Sequence, residues 1–205
     1  MNIDAIMRAA PVIPVLVLEE ELDWVPLAET FVAAGLPVLE VTLRTPVAME
    51  AVRQMAKVPG AIVGAGTVLN EAQLDASIAA GARFIVSPGL TEGLASAAIE
   101  RGIALLPGIS TASDIMRGLD LGLSHFKFFP AEASGGIAAL KALAAPFHQC
   151  RFCPTGGITQ KTAPDWLALD AVLCVGGSWL VQRGGVDPQA IEAAAAEAAK
   201  LTQRG

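Results

Sequence analysis

In the stretch Val38-Leu39-Glu40-Val41-Thr42-Leu43-Arg44, polar and apolar residues alternate with the period of a β-strand. Glu40, Thr42 and Arg44 share one face, and Leu39, Val41 and Leu43 share the other. A carboxylate and a guanidinium on one face can move protons and hold an anionic group, or they can simply pair and fill a core. A second stretch, His125-Phe126-Lys127-Phe128-Phe129, sets a lysine among aromatic residues. His125 and Phe129 lie on its face, and Phe126 and Phe128 on the opposite one. Burial disfavours an ammonium ion. A neutral amine is what attack on a ketone or aldehyde requires, and the resulting Schiff base is an electron sink that stabilises a neighbouring carbanion. The plain structural alternative is a lysine paired with Glu40.

Glycine pairs mark a different chemistry. Pro154-Thr155-Gly156-Gly157 and Gly176-Gly177-Ser178 each follow a short apolar run. Paired glycines let backbone N–H groups approach an anion such as phosphate, and the Ser178 hydroxyl could complete the cradle. Tight turns use the same pair, so one copy alone says little. Gly64-Ala65-Gly66-Thr67 repeats the pattern of glycine followed by a hydroxyl, with a tight turn as the alternative. Pro88 reads as an apolar wall or a turn proline. Cys150 and Cys153 fall on opposite faces of an extended segment, and the histidines are His125 and His148, so no four-ligand zinc set assembles. The cysteines read as structural, and the expected site has no metal and no cofactor. Trp24, Trp166 and Trp179 read as packing residues.

These groups need a frame to bring them together. Apolar runs recur at Val12–Leu18, Val38–Leu43, Ile62–Ala65, Phe84–Val86, Ala104–Leu106, His125–Phe129, Arg151–Cys153 and Val172–Val175. The spacing between starts suits a strand, a loop and a helix rather than a hairpin. Leu22–Ala34 carries Leu27, Phe31 and Ala34 at helical spacing. Glu71–Ala80 follows Asn70, with Gln73 three residues later, and Thr111-Ala112-Ser113-Asp114 opens a helix in the same way. Gly35, Gly81 and Gly102 lie where helices should stop. Ile191–Lys200 reads as the last helix. Eight even units with no linker predict one (β/α)₈ barrel over residues 1–205, with an open doubly wound sheet as the alternative. In a barrel the helices cover the outside, so Glu40, Thr42, Arg44 and Lys127 should point inward. Catalytic groups are expected at the C-terminal strand ends, with phosphate at the loops after strands seven and eight.

Composition narrows the function classes. The 205 residues are 53% hydrophobic and 17% charged, which excludes a disordered chain, and the net charge of −6 excludes a surface built for nucleic acid or anionic membrane. Val12–Leu18 and Ala171–Val181 are too short to span a bilayer. The N-terminal residues lack a signal-peptide pattern, so the cytoplasm is the expected location.

With these residues assembled, the chain resembles the bacterial 2-keto-3-deoxy-6-phosphogluconate (KDPG) aldolases, from Pro11 nearly to the end. The resemblance rests on residues 38–45, 64–70, 87–89, 107–111, 126–132, 152–158 and 176–179. It implies a class I aldolase in which Lys127 forms the Schiff base and Glu40 is the general acid/base. Arg44 and Thr67 would hold the pyruvate carboxylate, and Pro88 and Phe129 would wall its methyl group. Gly156, Gly157 and Ser178 would take the phosphate of glyceraldehyde 3-phosphate. Thr155 would contact the substrate hydroxyls and favour KDPG over its galactonate epimer. The resemblance also implies a homotrimer, with 4-hydroxy-2-oxoglutarate as a plausible second substrate. The competing class is a barrel that binds a phosphorylated ligand without Schiff-base chemistry. It accounts for the glycine loops but gives no reason for Lys127 to face Glu40 and Arg44.

Overall fold

The computed structural model describes residues 1–19, 23–181 and 188–201. Its strands are β1 (Val12–Leu16), β2 (Val38–Thr42), β3 (Ile62–Gly66), β4 (Phe84–Ser87), β5 (Ala104–Ile109), β6 (His125–Phe128), β7 (Arg151–Pro154) and β8 (Val175–Gly177). Neighbours pair in parallel around one eight-stranded sheet, from β7 through β1 to β8. The ring is closed by parallel bridges between Phe152 and Val172 and between Thr155 and Gly176. The fold is therefore a (β/α)₈ barrel, and the open-sheet alternative falls.

Helices α2 (Val25–Ala33), α3 (Ala48–Met55), α4 (Glu71–Ala79), α5 (Glu92–Glu100), α6 (Ala112–Asp120), α7 (Gly136–Ala144), α8 (Ala163–Leu167) and α9 (Pro188–Ala199) follow the strands, and α1 (Ile3–Arg8) precedes them. Their boundaries follow local chemistry. The Asn70 side chain accepts from Gln73 N–H, while Gln73 reaches back to Leu69 N–H. Thr111 and Asp114 form a reciprocal capping box. Gly35, Gly81 and Gly102 have positive φ just beyond the ends of α2, α4 and α5. The predicted start of the second helix at Leu22 lies outside the described residues.

Two apolar layers result. Leu39, Val41, Phe126 and Phe128 belong to the layer between barrel and helices. Ile13, Val38, Phe84, Val86, Leu106, Cys153, Leu173 and Cys174 form a second cluster with Ile6 and Met7. These strand residues alternate with the first set, so they fill the barrel's interior, and α1 contributes to its floor. Cys150 packs outside and Cys153 inside, as the period-two reading required.

The structure shifts several boundaries. The first and second strands stop at Leu16 and Thr42 rather than Leu18 and Leu43. The eighth strand runs over Val175–Gly177 rather than Val172–Val175. The cause lies in the closure. Val172 bridges Phe152 and Gly176 bridges Thr155, so the pairing slips by one residue between these points. Helix α1 has no counterpart among the sequence expectations. Its signals are an Asn2 cap on Ala5 N–H and an Asp4–Arg8 pair one turn apart.

Candidate active site

Lys127 and Glu40 meet inside the barrel. Lys127 Nζ lies 2.9 Å from Glu40 Oε1 and 3.3 Å from Oε2, and the residues are 4% and 3% exposed. Strands β6 and β2 are not neighbours in the sheet, so the pair spans the barrel. The same ammonium group sits 5.3 Å from the centre of the Phe129 ring, a cation–π distance. Phe129 lies just past β6, where its N–H still donates to Ile109 O. An amine and a carboxylate in hydrogen-bond contact can pass a proton between them. Neither is released to bulk water, and both lie on strands rather than on loops.

Arg44 and Thr67 form a second contact. Arg44 is exposed just beyond β2, and its Nε donates to Thr67 Oγ1 at 3.2 Å. Thr67 follows β3 with φ of 58°, a left-handed conformation that a β-branched residue seldom adopts. Strain of this kind persists where the surroundings dictate it, and it clusters at ligand sites. Thr42 does not join the pair across the barrel. It is fully buried, and its hydroxyl donates to Leu16 O on β1.

Pro88 lies in the turn after β4, where Ser87 Oγ donates to Gly89 O. A Cβ on Gly108 would stand 2.1 Å from Pro88 O, so the turn folds over a bare position on β5. Gly108 is also the register partner of Lys127. The Pro88 turn therefore passes beside the lysine's strand.

Thr155 is buried at the end of β7 beside Gly176 of β8. A Cβ on Gly176 would fall 2.3 Å from Thr155 Oγ1, so that glycine makes room for the threonine. Gly156 and Gly157 follow, both with positive φ. A Cβ on Gly157 would meet Glu132 Cγ at 2.7 Å, and one on Gly156 would approach Phe129 Cε2 at 3.4 Å. This loop is held from below. Ala131 N–H donates to Thr155 O and Glu132 N–H to Gly156 O, while Trp166 Nε1 donates to Glu132 Oε1 at 3.1 Å. Ser178 is exposed directly after β8.

Several contributors escape a residue-by-residue reading of the chain. Cys153 and Cys174 both belong to the interior cluster. Burial pushes the Cys174 thiol well above the usual range, helped by its hydrogen bond to Cys153 and by the Glu40 carboxylate. Alternation could have found both cysteines, since Cys153 lies two residues before Thr155 and Cys174 two before Gly176. Glu132 and Gly108 carry no comparable signal, because their partners come from other strands. No cluster of three or more histidine, cysteine, aspartate or glutamate residues with metal-binding geometry occurs among the described residues.

Comparison with known proteins places this geometry in a family. The family model for KDPG and KHG aldolases matches residues 3–196. A 2-dehydro-3-deoxy-phosphogluconate aldolase of Zymomonas mobilis is 58% identical over 197 residues, 96% of this chain and 95% of the relative. The crystal structure of the Zymomonas mobilis enzyme with 3-phosphoglycerate superposes with a TM-score of 0.97 at 56% identity, covering 99% of this chain and 97% of the other. The Legionella pneumophila KDPG aldolase, with pyruvate captured as a covalent carbinolamine, superposes with a TM-score of 0.92 at 46% identity, covering 96% and 97%. An amine and a carboxylate facing each other inside a barrel, with glycine loops at its rim, sit in a chain matched over nearly its whole length, and that chain belongs to the KDPG and KHG aldolase family.

Proposed function

We propose that this protein is a Schiff-base aldolase that cleaves KDPG to pyruvate and glyceraldehyde 3-phosphate. The observation that carries the reading is the buried Lys127–Glu40 contact, within reach of an Arg44–Thr67 pair and a glycine loop.

Each step draws on a named group. Lys127, after giving a proton to Glu40, attacks the C2 ketone and forms a carbinolamine. Glu40 returns that proton to the carbinolamine hydroxyl, which leaves as water, and the resulting iminium ion is conjugated to the substrate carboxylate, which Arg44 and Thr67 hold. Glu40 then removes the C4 hydroxyl proton through a water molecule. The C3–C4 bond breaks, C4 leaves as the aldehyde, and the bonding electrons enter the iminium to give an enamine. Returning the proton to C3 and hydrolysing the iminium releases pyruvate and regenerates the amine. Pro88 and Phe129 pack against the pyruvate methyl. Gly156, Gly157 and Ser178 bind the phosphate, and Thr155 contacts the hydroxyls between the two ends. A general acid/base held on a rigid strand contributes roughly 10²–10⁴-fold.

The hydroxyl of Thr155 beside Gly176 favours KDPG over its galactonate epimer. The keto-acid end of 4-hydroxy-2-oxoglutarate presents the same groups, so that cleavage is a second activity. The enzyme is a homotrimer in the cytoplasm. No described helix is long and apolar enough to cross a membrane. Sedimentation at three times the chain mass checks the assembly.

Borohydride reduction in the presence of pyruvate tests the chemistry. A reduced pyruvyl adduct is expected on Lys127, identified by peptide mass, and it should vanish in Lys127→Arg because a guanidinium stays protonated. Labelling of Lys141 or Lys161 instead would overturn the assignment. Steady-state rates with KDPG and its C4 epimer decide between the two substrates.

A further inference from the structure

Gly66 ends β3 on the inward face, and the hole left by its missing side chain is filled by Glu40. A Cβ built there would stand 2.3 Å from Glu40 Oε1, 2.7 Å from Cγ and 2.8 Å from Cδ. No real Cβ tolerates such contacts. The same Oε1 makes the 2.9 Å contact to Lys127. The backbone of Gly66 has little freedom to retreat, since it pairs with Thr42 and its carbonyl accepts from Leu43 N–H. Its φ is not among the positive values, so alanine fits the backbone conformation. Added bulk at this position would therefore displace the far end of Glu40 rather than the strand.

We propose that Gly66 is a positioning residue that sets the Glu40 carboxylate against Lys127. The inference rests on the reading of Glu40 as the group that moves protons. The pocket left by Gly66 fixes how far the carboxylate leans over β3, and that lean gives it contact with an amine on the far side of the barrel. A methyl group there forces the carboxylate to give way by on the order of 1 Å before ordinary contact is restored. Misplacement on that scale costs on the order of 10²-fold in rate. Arg44 and Thr67 are held by their own hydrogen bond, so the grip on the keto-acid carboxylate should survive.

The test is a cycle of Gly66→Ala, Glu40→Ala and the double variant, each checked for folding by its melting curve. Deuterium exchange into the methyl group of pyruvate, followed by NMR, reads proton transfer with no aldehyde or phosphate present. Gly66→Ala should lower the exchange rate at saturating pyruvate by on the order of 10²-fold, with little change in the KM for pyruvate. In the Glu40→Ala background the same alanine should cost less than about threefold, because no Cγ or carboxylate remains for it to displace. An equal loss in both backgrounds would mean that the glycine acts through the backbone, and full exchange in Gly66→Ala would also overturn the proposal. If Glu40→Gln exchanges as fast as the parent, it is the reading of Glu40 that falls. Gly66 is then judged by the crystal structure of Gly66→Ala. A carboxylate moved away from Lys127 supports the positioning role, and an unmoved one ends it.

Discussion

Strand β6 carries two basic side chains on its inward face, His125 and Lys127, and each meets a carboxylate. His125 lies at the strand's start, 3.1 Å from Asp4 of α1, in a contact whose acid is 39% exposed. Lys127 lies two residues farther along, 2.9 Å from Glu40, with both side chains about 5% exposed or less. The two pairs share a strand and a face but work at opposite ends of the barrel. At the floor, α1 brings Ile6 and Met7 into the interior cluster, and the His125–Asp4 contact ties that helix to the sheet. Toward the mouth, the interior turns from apolar residues to glycines and polar groups. A basic side chain facing a carboxylate thus occurs in two different surroundings on one strand, beside an apolar floor and toward a polar mouth.

The largest effect should come from the upper pair. Glu40→Gln keeps shape and removes the carboxylate that accepts and returns a proton, so kcat for KDPG cleavage should fall by roughly 10²–10⁴-fold while the fold stays intact. Near-normal turnover would make the two pairs equivalent and the distinction between them false. The floor should behave in the opposite way. Met7 is fully buried, and Met7→Ala should cost about 2–5 kcal/mol of stability in a urea melt. At temperatures where the variant is folded, kcat should be nearly unchanged. A large loss of kcat without a loss of stability would mean that the floor takes part in the chemistry.

The phosphate end sharpens the comparison within the mouth itself. Gly157→Ala places a methyl against Glu132 at a backbone angle that suits glycine. Loss of one charge-assisted hydrogen bond from the loop should raise the KM for KDPG by about tenfold or more. Borohydride trapping with pyruvate, which has no phosphate, should hold. If trapping falls as steeply as KDPG cleavage in a folded variant, the loop serves the keto-acid end instead.

The sequence makes some of these parts legible and hides others, for a physical reason. Alternation along a strand says which face a side chain takes, so Glu40 and Lys127 on one side, and Phe126 and Phe128 on the other, could be read directly, whereas Arg44, read as part of the same strand, lies exposed in the turn beyond Thr42. The same rule says nothing about what the neighbouring strand presents. Gly66 beside the Glu40 side chain, Gly108 under the Pro88 turn and Gly176 beside Thr155 look like ordinary turn glycines until the strands are paired. Gly176 in particular is read in the sequence with Gly177 and Ser178 as part of a phosphate cradle, and nothing there announces that its bare inward face also makes room for Thr155. The one-residue slip between β7 and β8 is likewise a product of closure, and β8 starts at Val175 rather than at Val172. Helix α1 is too short for periodicity to announce it, and its burial depends on a barrel that has to exist first.

The smallest effect expected is at Asp4, and it is the most direct probe of the floor pair. The hydrogen bond with His125, followed by the Arg8 guanidinium, holds the Asp4 carboxyl below its ordinary value of 3.8. A depressed carboxylate adds stability at pH values above that of the unfolded chain, and the contribution is lost as pH falls through the folded value. The group is too exposed for the contribution to be large. Asp4→Asn should therefore lower the melting temperature by only about 1 °C at neutral pH. The gap between variant and parent should close as the pH is taken below about 4. Because the pair sits at the floor, KDPG turnover should not change at any pH where both proteins are folded. Two outcomes would break the argument. A gap that persists at low pH would mean that Asp4 stabilises α1 by something other than its charge. A fall in turnover would mean that His125 transmits the loss to Lys127 along the shared face of β6, and the two ends of the barrel would not be separate after all.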